Sequence, residues 1–286
     1  MNNIILTPRE IIEIKQLAKD MRAAFGVNDE VPIANDIKMF LDKQGILLCE
    51  YPFQENSKID AEIVRFETDN KPLIFIGLNS SLYYDEQIFA LAHEIYHFKT
   101  ETGKAYNIDK NTEDDRIEKR ADRFAAELLL PEGVLRSYVI LEFGQDGIES
   151  NNILGILRFI AGIQLTWWLP YKSIVLRLRE EGLIDQALFN ELYNNYDSRS
   201  ESGDYYKILR AMDGRIADIL NSKTCKTTVS QRVIDVVLKN YDDEYLAEDE
   251  FVDLMNLFHV DPSDYGYEMG LFDDDDYNFK GDFDED

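Results

Sequence analysis

The chain has 286 residues, 45% of them hydrophobic and 12% aromatic, so it can bury a sizeable core and is not a disordered polymer. Its formal charge of −26 gathers at one end, where eighteen acids from Tyr241 to Asp286 face a single lysine. A charge of that sign repels a phosphate backbone, so no direct nucleic-acid binding is expected, and two isolated cysteines, Cys49 and Cys225, exclude a disulfide framework.

Met1 to Lys15 holds no basic start followed by an apolar run, so it does not read as a secretory signal. The segment instead contains a helix start. Thr7-Pro8-Arg9-Glu10 pairs a capping-box threonine and glutamate with proline at the first helical position, and Gly26 stands where a helix stops. Ile14, Leu17, Ala18, Met21 and Phe25 give this first helix an apolar stripe. A second, short helix is expected from Ile33 to Lys43, ending before Gly45. Three strand-like runs follow, Ile46 to Tyr51, Ala61 to Glu67 and Pro72 to Asn79, with a polar turn at Asp69-Asn70 between the last two. Together they predict a small antiparallel sheet.

The next helix carries the chemistry. Ile88, Leu91, Ala92 and Ile95 recur at helical spacing, with Asp85 placed to cap the start. Within it His93-Glu94-Ile95-Tyr96-His97 reads H-E-x-x-H and uses two of only three histidines in the chain. Residues four apart on a helix share a face, so both imidazoles can reach one metal ion. A catalytic zinc site takes three protein ligands and keeps one position open, so a third must come from elsewhere. A further helix is expected from Glu113 to Leu130, with Ile117, Ala121, Phe124, Ala125 and Leu128 at helical spacing and Pro131 at its end. On it Glu118 is the candidate third ligand, and Asp122, one turn on, is placed to accept the free ring N–H of a ligand histidine. Glu94 would then be the base that takes a proton from the attacking water.

These two blocks carry a resemblance. Phe89 to His97, followed by Glu118 to Pro131 in the pattern E-x-x-A-x-x-F-A-x-x-L-L-x-P, resembles the ImmA/IrrE family of metallo-endopeptidases. The likeness spans roughly residues 5 to 190, with the leading helix, Asn79 at the end of the sheet and the run through Leu183-Ile184 in keeping. It implies zinc ligands at His93, His97 and Glu118, a catalytic base at Glu94, and helix-turn-helix repressors as substrates, whose cleavage releases genes of mobile elements, phage, stress or DNA-damage programmes. Two positions depart from the family's pattern. Tyr96 stands where glycine is usual and is expected to narrow the site, and Asp122 stands where asparagine is frequent.

Beyond the two blocks the pattern stays helical from Glu132 to about Tyr196, with a helix-turn-helix-like pair and Trp167-Trp168 as packing residues. The greasiest stretch, Ile153 to Leu169, is broken by Arg158 and Gln164, so no membrane segment is expected and the protein is read as cytoplasmic. Ser198 to Asp204 reads as a linker, and helices are expected at 205–220, 230–240 and 249–258.

The resulting expectation is an α+β, zincin-like domain at 1–131, a helical segment at 132–197, a small acidic unit at 205–270 and a disordered tail at 271–286. The expected cofactor is Zn2+, with another divalent ion such as Mn2+ compatible with a two-histidine, one-glutamate site. The expected partner is a protein substrate, a DNA-binding repressor. Two rival readings share the residues: an antirepressor that sequesters its partner by binding alone, and a zinc-dependent protease toxin. Cys49 suggests a regulatory variant, in which its thiolate occupies the open metal position until oxidised.

Overall fold

The computed structural model describes residues 4–54, 57–66, 72–102 and 112–267. These divide into two compact units, residues 1–230 and residues 231–286.

The first unit begins with α1 (Pro8–Phe25), capped as its sequence dictates. The Thr7 side chain accepts from the Glu10 amide, the Glu10 carboxylate accepts from the Thr7 amide, and Gly26 closes the helix at φ 73°. Ile14, Ala18, Met21 and Phe25 are buried on its inner face. The expected second helix is split. Ala34–Asp36 forms a 3-10 turn, and only α2 (Ile37–Lys43) is α-helical.

Strands β1 (Leu47–Tyr51), β2 (Ala61–Phe66) and β3 (Leu73–Asn79) lie within a residue of their expected bounds, while the turn at Asp69-Asn70 falls outside the described residues. The sheet is mixed rather than antiparallel throughout. β2 pairs antiparallel with β3, but β1 runs parallel to the far side of β3, giving the order β2-β3-β1-β4. β4 (Thr228–Val229) pairs antiparallel with β1 and comes from far along the chain. β2 is thus an edge strand, and it packs against the histidine-bearing helix that follows β3.

That helix is α3 (Tyr84–Thr100), whose predicted stripe of Ile88, Leu91, Ala92 and Ile95 is fully buried. Asp85 is not its cap. Tyr83 takes that position, its amide donating to the Glu86 carboxylate, while Asp85 turns inward and is completely buried. There it pairs with Arg199 and accepts from Gln164 Nε2 at 3.0 Å, and Gln164 in turn accepts from the Tyr205 hydroxyl at 2.8 Å. α4 (Thr112–Leu129) packs against both α1 and α3 through Ala121, Phe124, Ala125 and Leu128.

The helical stretch contains α5 (Glu132–Phe143), α6 (Ile153–Trp167), α7 (Tyr171–Glu180), α8 (Gln186–Asn195) and α9 (Asp204–Leu220). α6 and α7 meet at a bend of 111°, turned by Trp168 in the left-handed region and by Pro170. Among the described residues no single helix is long and apolar enough to cross a membrane. The bent pair approaches such a composition, but its apolar side chains belong to the core. Buried ion pairs tie α4 to α7. Arg177, wholly buried, pairs with Glu127 and with Glu181 at 2.8 Å, and Arg123 pairs with Glu181 and with Glu180 at 2.9 Å.

The polar segment expected to be a linker is pinned. Ser198 is buried and Arg199 reaches Asp85, the Leu220 carbonyl and Asn221. After α9 the chain returns to the start of α3, where the Tyr84 amide donates to the Ser222 carbonyl and the Cys225 amide to the Ser80 carbonyl. Residues 204–230 therefore belong with the first unit.

In the second unit α10 (Gln231–Asp242) and α11 (Glu248–Leu257) enclose Phe251 and Met255, and Tyr241, Phe251 and Tyr267 form an aromatic cluster. His259 is an exposed turn residue at the end of α11, and the residues from 268 onward, with the acidic tail, lie outside the described part.

Candidate metal centre

The helical spacing on α3 puts both imidazoles on the side facing α4, and α4 supplies two carboxylates one turn apart. His93 Nε2 lies 3.1 Å from His97 Nε2 and 3.2 Å from Glu118 Oε2, and His97 Nε2 lies 3.6 Å from Glu118 Oε1. The outer nitrogens are held as well. His93 Nδ1 bonds to Asp122 Oδ1 at 3.0 Å and His97 Nδ1 to the Thr102 hydroxyl at 3.1 Å. When each ring is neutral and its Nδ1–H donates outward, both Nε2 lone pairs face the same point as the Glu118 carboxylate.

Such a convergence of acceptors fits a cation. Ligands about 2.0–2.1 Å from a tetrahedral ion stand roughly 3.3 Å apart, the spacing seen among these three groups. The ligand atoms of His93, His97 and Glu118 all lie within 4.8 Å of one another, a group able to hold a divalent metal. Titration points the same way. Burial lowers the pKa of His93, but hydrogen bonds to Asp122 and Glu118 outweigh it and hold that imidazole charged up to about 10. Burial and that neighbouring charge drive His97 down to about 4. The cluster is built for added positive charge.

Glu94 points to the sheet side of α3. It is 6% exposed, and its Oε2 accepts from the Ile63 amide of the edge strand at 2.9 Å. Burial raises its carboxyl to about 7, against the lowering effects of His93 and the Ile63 amide. With His93, Glu118 and Asp122 it lines an open cleft of about 300 Å³, walled by Ile59, Asp60 and Phe89. Arg65, also on β2, donates to the carbonyls of His97 at 3.1 Å and Phe98 at 2.6 Å, closing the C-terminal turn of α3 beside a ligand.

Five of the sequence-derived residues thus meet: His93, Glu94, His97, Glu118 and Asp122. Cys49 does not join them. It lies inside β1, in register with Gly77 and Val229, away from the cleft lining, and burial pushes its thiol pKa up. Tyr96 does not narrow the cleft either, being 3% exposed and packed against Phe124 in the core. The sequence reading missed Thr102, Arg65 and the Ile63 amide. None carries a local signal, because each reaches the site through a turn or a strand pairing.

Residues 41–140 match the family Peptidase_M78, the IrrE N-terminal-like domain. This segment is an IrrE N-terminal-like domain. It holds every residue of the metal cluster as well as Glu94 and Cys49. The IrrE-like domain thus takes in the sheet from β1 to β3 together with α3, α4 and most of α5, while α1 and everything from α6 onward lie outside the match. No curated protein matches the chain. The family is one of peptidases, and a two-histidine, one-glutamate cluster beside a buried carboxylate is what metal-assisted hydrolysis asks of such a domain.

Proposed function

We propose that the protein is a metal-dependent endopeptidase, with zinc as the ion, that cuts a protein substrate. The observation carrying this reading is the placement of Glu94, a buried carboxylate raised by burial to about 7, in the wall of the cleft that His93 and Glu118 also line. A site that only bound metal for stability has no use for such a group.

His93, His97 and Glu118 would hold the ion, which when bound acts as a Lewis acid on the scissile carbonyl and acidifies water. Asp122 and Thr102 fix the tautomers that keep both Nε2 lone pairs available. Glu94 takes the proton of the attacking water and delivers it to the leaving amine, a double duty suited to a pKa near the working pH. Its hydrogen bond to the Ile63 amide sets the carboxylate against the edge strand, so the base has a fixed orientation and one oxygen free for proton transfer.

The substrate we infer is a DNA-binding repressor of the helix-turn-helix class, as the sequence resemblance implies. The test is intact-mass analysis of the repressor encoded beside the gene, after incubation with zinc-loaded protein and with its Glu94→Gln variant. A single internal cut made by the wild type alone supports the reading. Binding without a cut by either protein would favour sequestration, and growth arrest dependent on Glu94 with the repressor intact would favour a toxin with another target.

A further inference from the structure

The outer face of the sheet, turned away from α3, carries a second concavity of about 540 Å³ that the chemistry above leaves unused. Its apolar wall is made by Tyr51 at the end of β1, Phe53 beside it with ring centroids 4.6 Å apart, Ile59, and Val64 on β2, with Gly77 as a bare floor, while Gln54, Ser57 and Glu62 add polar groups to the lining. Tyr51 is 46% and Ile59 39% exposed, large apolar surface presented to solvent in a preformed hollow.

Two observations connect this groove to the catalytic cleft. Ile59 lines both, so they meet across one ridge at the start of β2. Along β2 the side chains alternate, with Ala61 at the cleft and Glu62 and Val64 at the groove, so the two hollows occupy opposite faces of one strand. The ridge is also built. Asn79, 5% exposed, accepts from the Phe53 amide at 3.1 Å and from the Ser81 amide at 3.0 Å, while its backbone N–H donates to the Asp60 carbonyl at 2.9 Å. One buried residue therefore fixes the cleft lip and the groove wall together.

We propose that this groove is a specificity subsite of the peptidase, which receives one aromatic or large aliphatic side chain of the polypeptide being cut. The proposal rests on the endopeptidase reading and adds a sequence requirement to it. A chain seated in the cleft crosses the ridge and turns onto the outer face. The extended chain has a fixed rise of about 3.3 Å per residue, so the anchor falls at one set position relative to the scissile bond. Burying that side chain between Tyr51, Phe53 and Val64 supplies binding that is the same in ground and transition states, so it acts on KM.

The experiment is cleavage-site profiling of a peptide library by mass spectrometry with the zinc-loaded full chain, alongside Tyr51→Ala, Gly77→Val and Glu94→Gln. Tyr51→Ala removes a half-exposed wall. Gly77→Val fills the floor, its Cβ lying 3.8 Å from the Tyr51 ring and its two methyls taking up the hollow beyond. The expected result is a wild-type preference for large apolar residues at one fixed position relative to the cut, absent from both groove variants. On the best peptide, Tyr51→Ala raises KM by roughly tenfold or more at unchanged kcat, and on the same peptide with glycine at the anchor it behaves as the wild type. Cleavage in which both groove variants keep the wild-type preference overturns the subsite and leaves the peptidase intact. No Glu94-dependent cleavage of any peptide removes the peptidase reading and the subsite with it.

Discussion

Asp122 stands behind the three candidate ligands, and its hydrogen bond to Nδ1 holds the His93 ring with its Nε2 inward. Asp122→Ala is expected to weaken zinc binding by about 10–100-fold in a chelator competition titration, with secondary structure unchanged. Glu94→Gln separates the other role. It should bind zinc as the wild type does and lose peptide hydrolysis by about 10²–10⁴-fold. Both residues were legible in the sequence because their partners are fixed by helical spacing within α3 and α4. Thr102 was not, because its hydroxyl meets His97 only after α3 ends at Glu101 in the left-handed region. The inward turn of Asp85 was equally hidden, since its partner Arg199 is 114 positions away.

At the scale of elements, α1 offers a titration experiment. The Arg116 guanidinium, and after it the Thr7 amide, hold the Glu10 carboxyl at about 2, below its ordinary 4.5. A carboxyl depressed in the folded state contributes stability that is complete above about 4.5 and disappears as the pH falls to about 2. Glu10→Gln should therefore melt below the wild type at neutral pH, and the two melting curves should converge as the pH falls through that window. A persistent gap at pH 2 would assign the loss to the cap hydrogen bonds instead. The join between α4 and α7 is a different case, for its charges are dry. Glu127→Ala strips a partner from the wholly buried Arg177 and is expected to cost about 3–5 kcal/mol in urea unfolding. Replacing both residues by apolar ones of similar volume should recover most of that loss. The spans of α1, α4, β1 to β3 and α9 to α11 were readable from period and punctuation, while the split of the second helix and the two-residue β4 were not. Strand order was not, because nothing local tells β1 to pass over β2 and pair parallel with β3.

For the whole molecule, the contacts part at Ser230, so a chain of residues 1–230 should keep the circular dichroism of the first unit and its full zinc affinity. A chain ending at residue 197 should not. It loses the partner of a buried aspartate, the Ser222 carbonyl that receives the Tyr84 amide, and β4 on the flank of β1. A reading by composition passes over this return, since residues 198–204 are polar and β4 is only two residues long.

The Asp85–Arg199 pair also sets an order of events on the ribosome. By the time Pro131 has been made, all three metal ligands and Glu94 have been synthesised, but α3 still lacks the arginine that neutralises the carboxylate at its buried end. Until then that carboxyl must either take up a proton or stay in water, so docking of α3 is expected to be completed by a residue translated some two-thirds of the way along. A nascent chain released before Arg199 is added is therefore expected to carry every candidate ligand on a helix that is not yet locked in place.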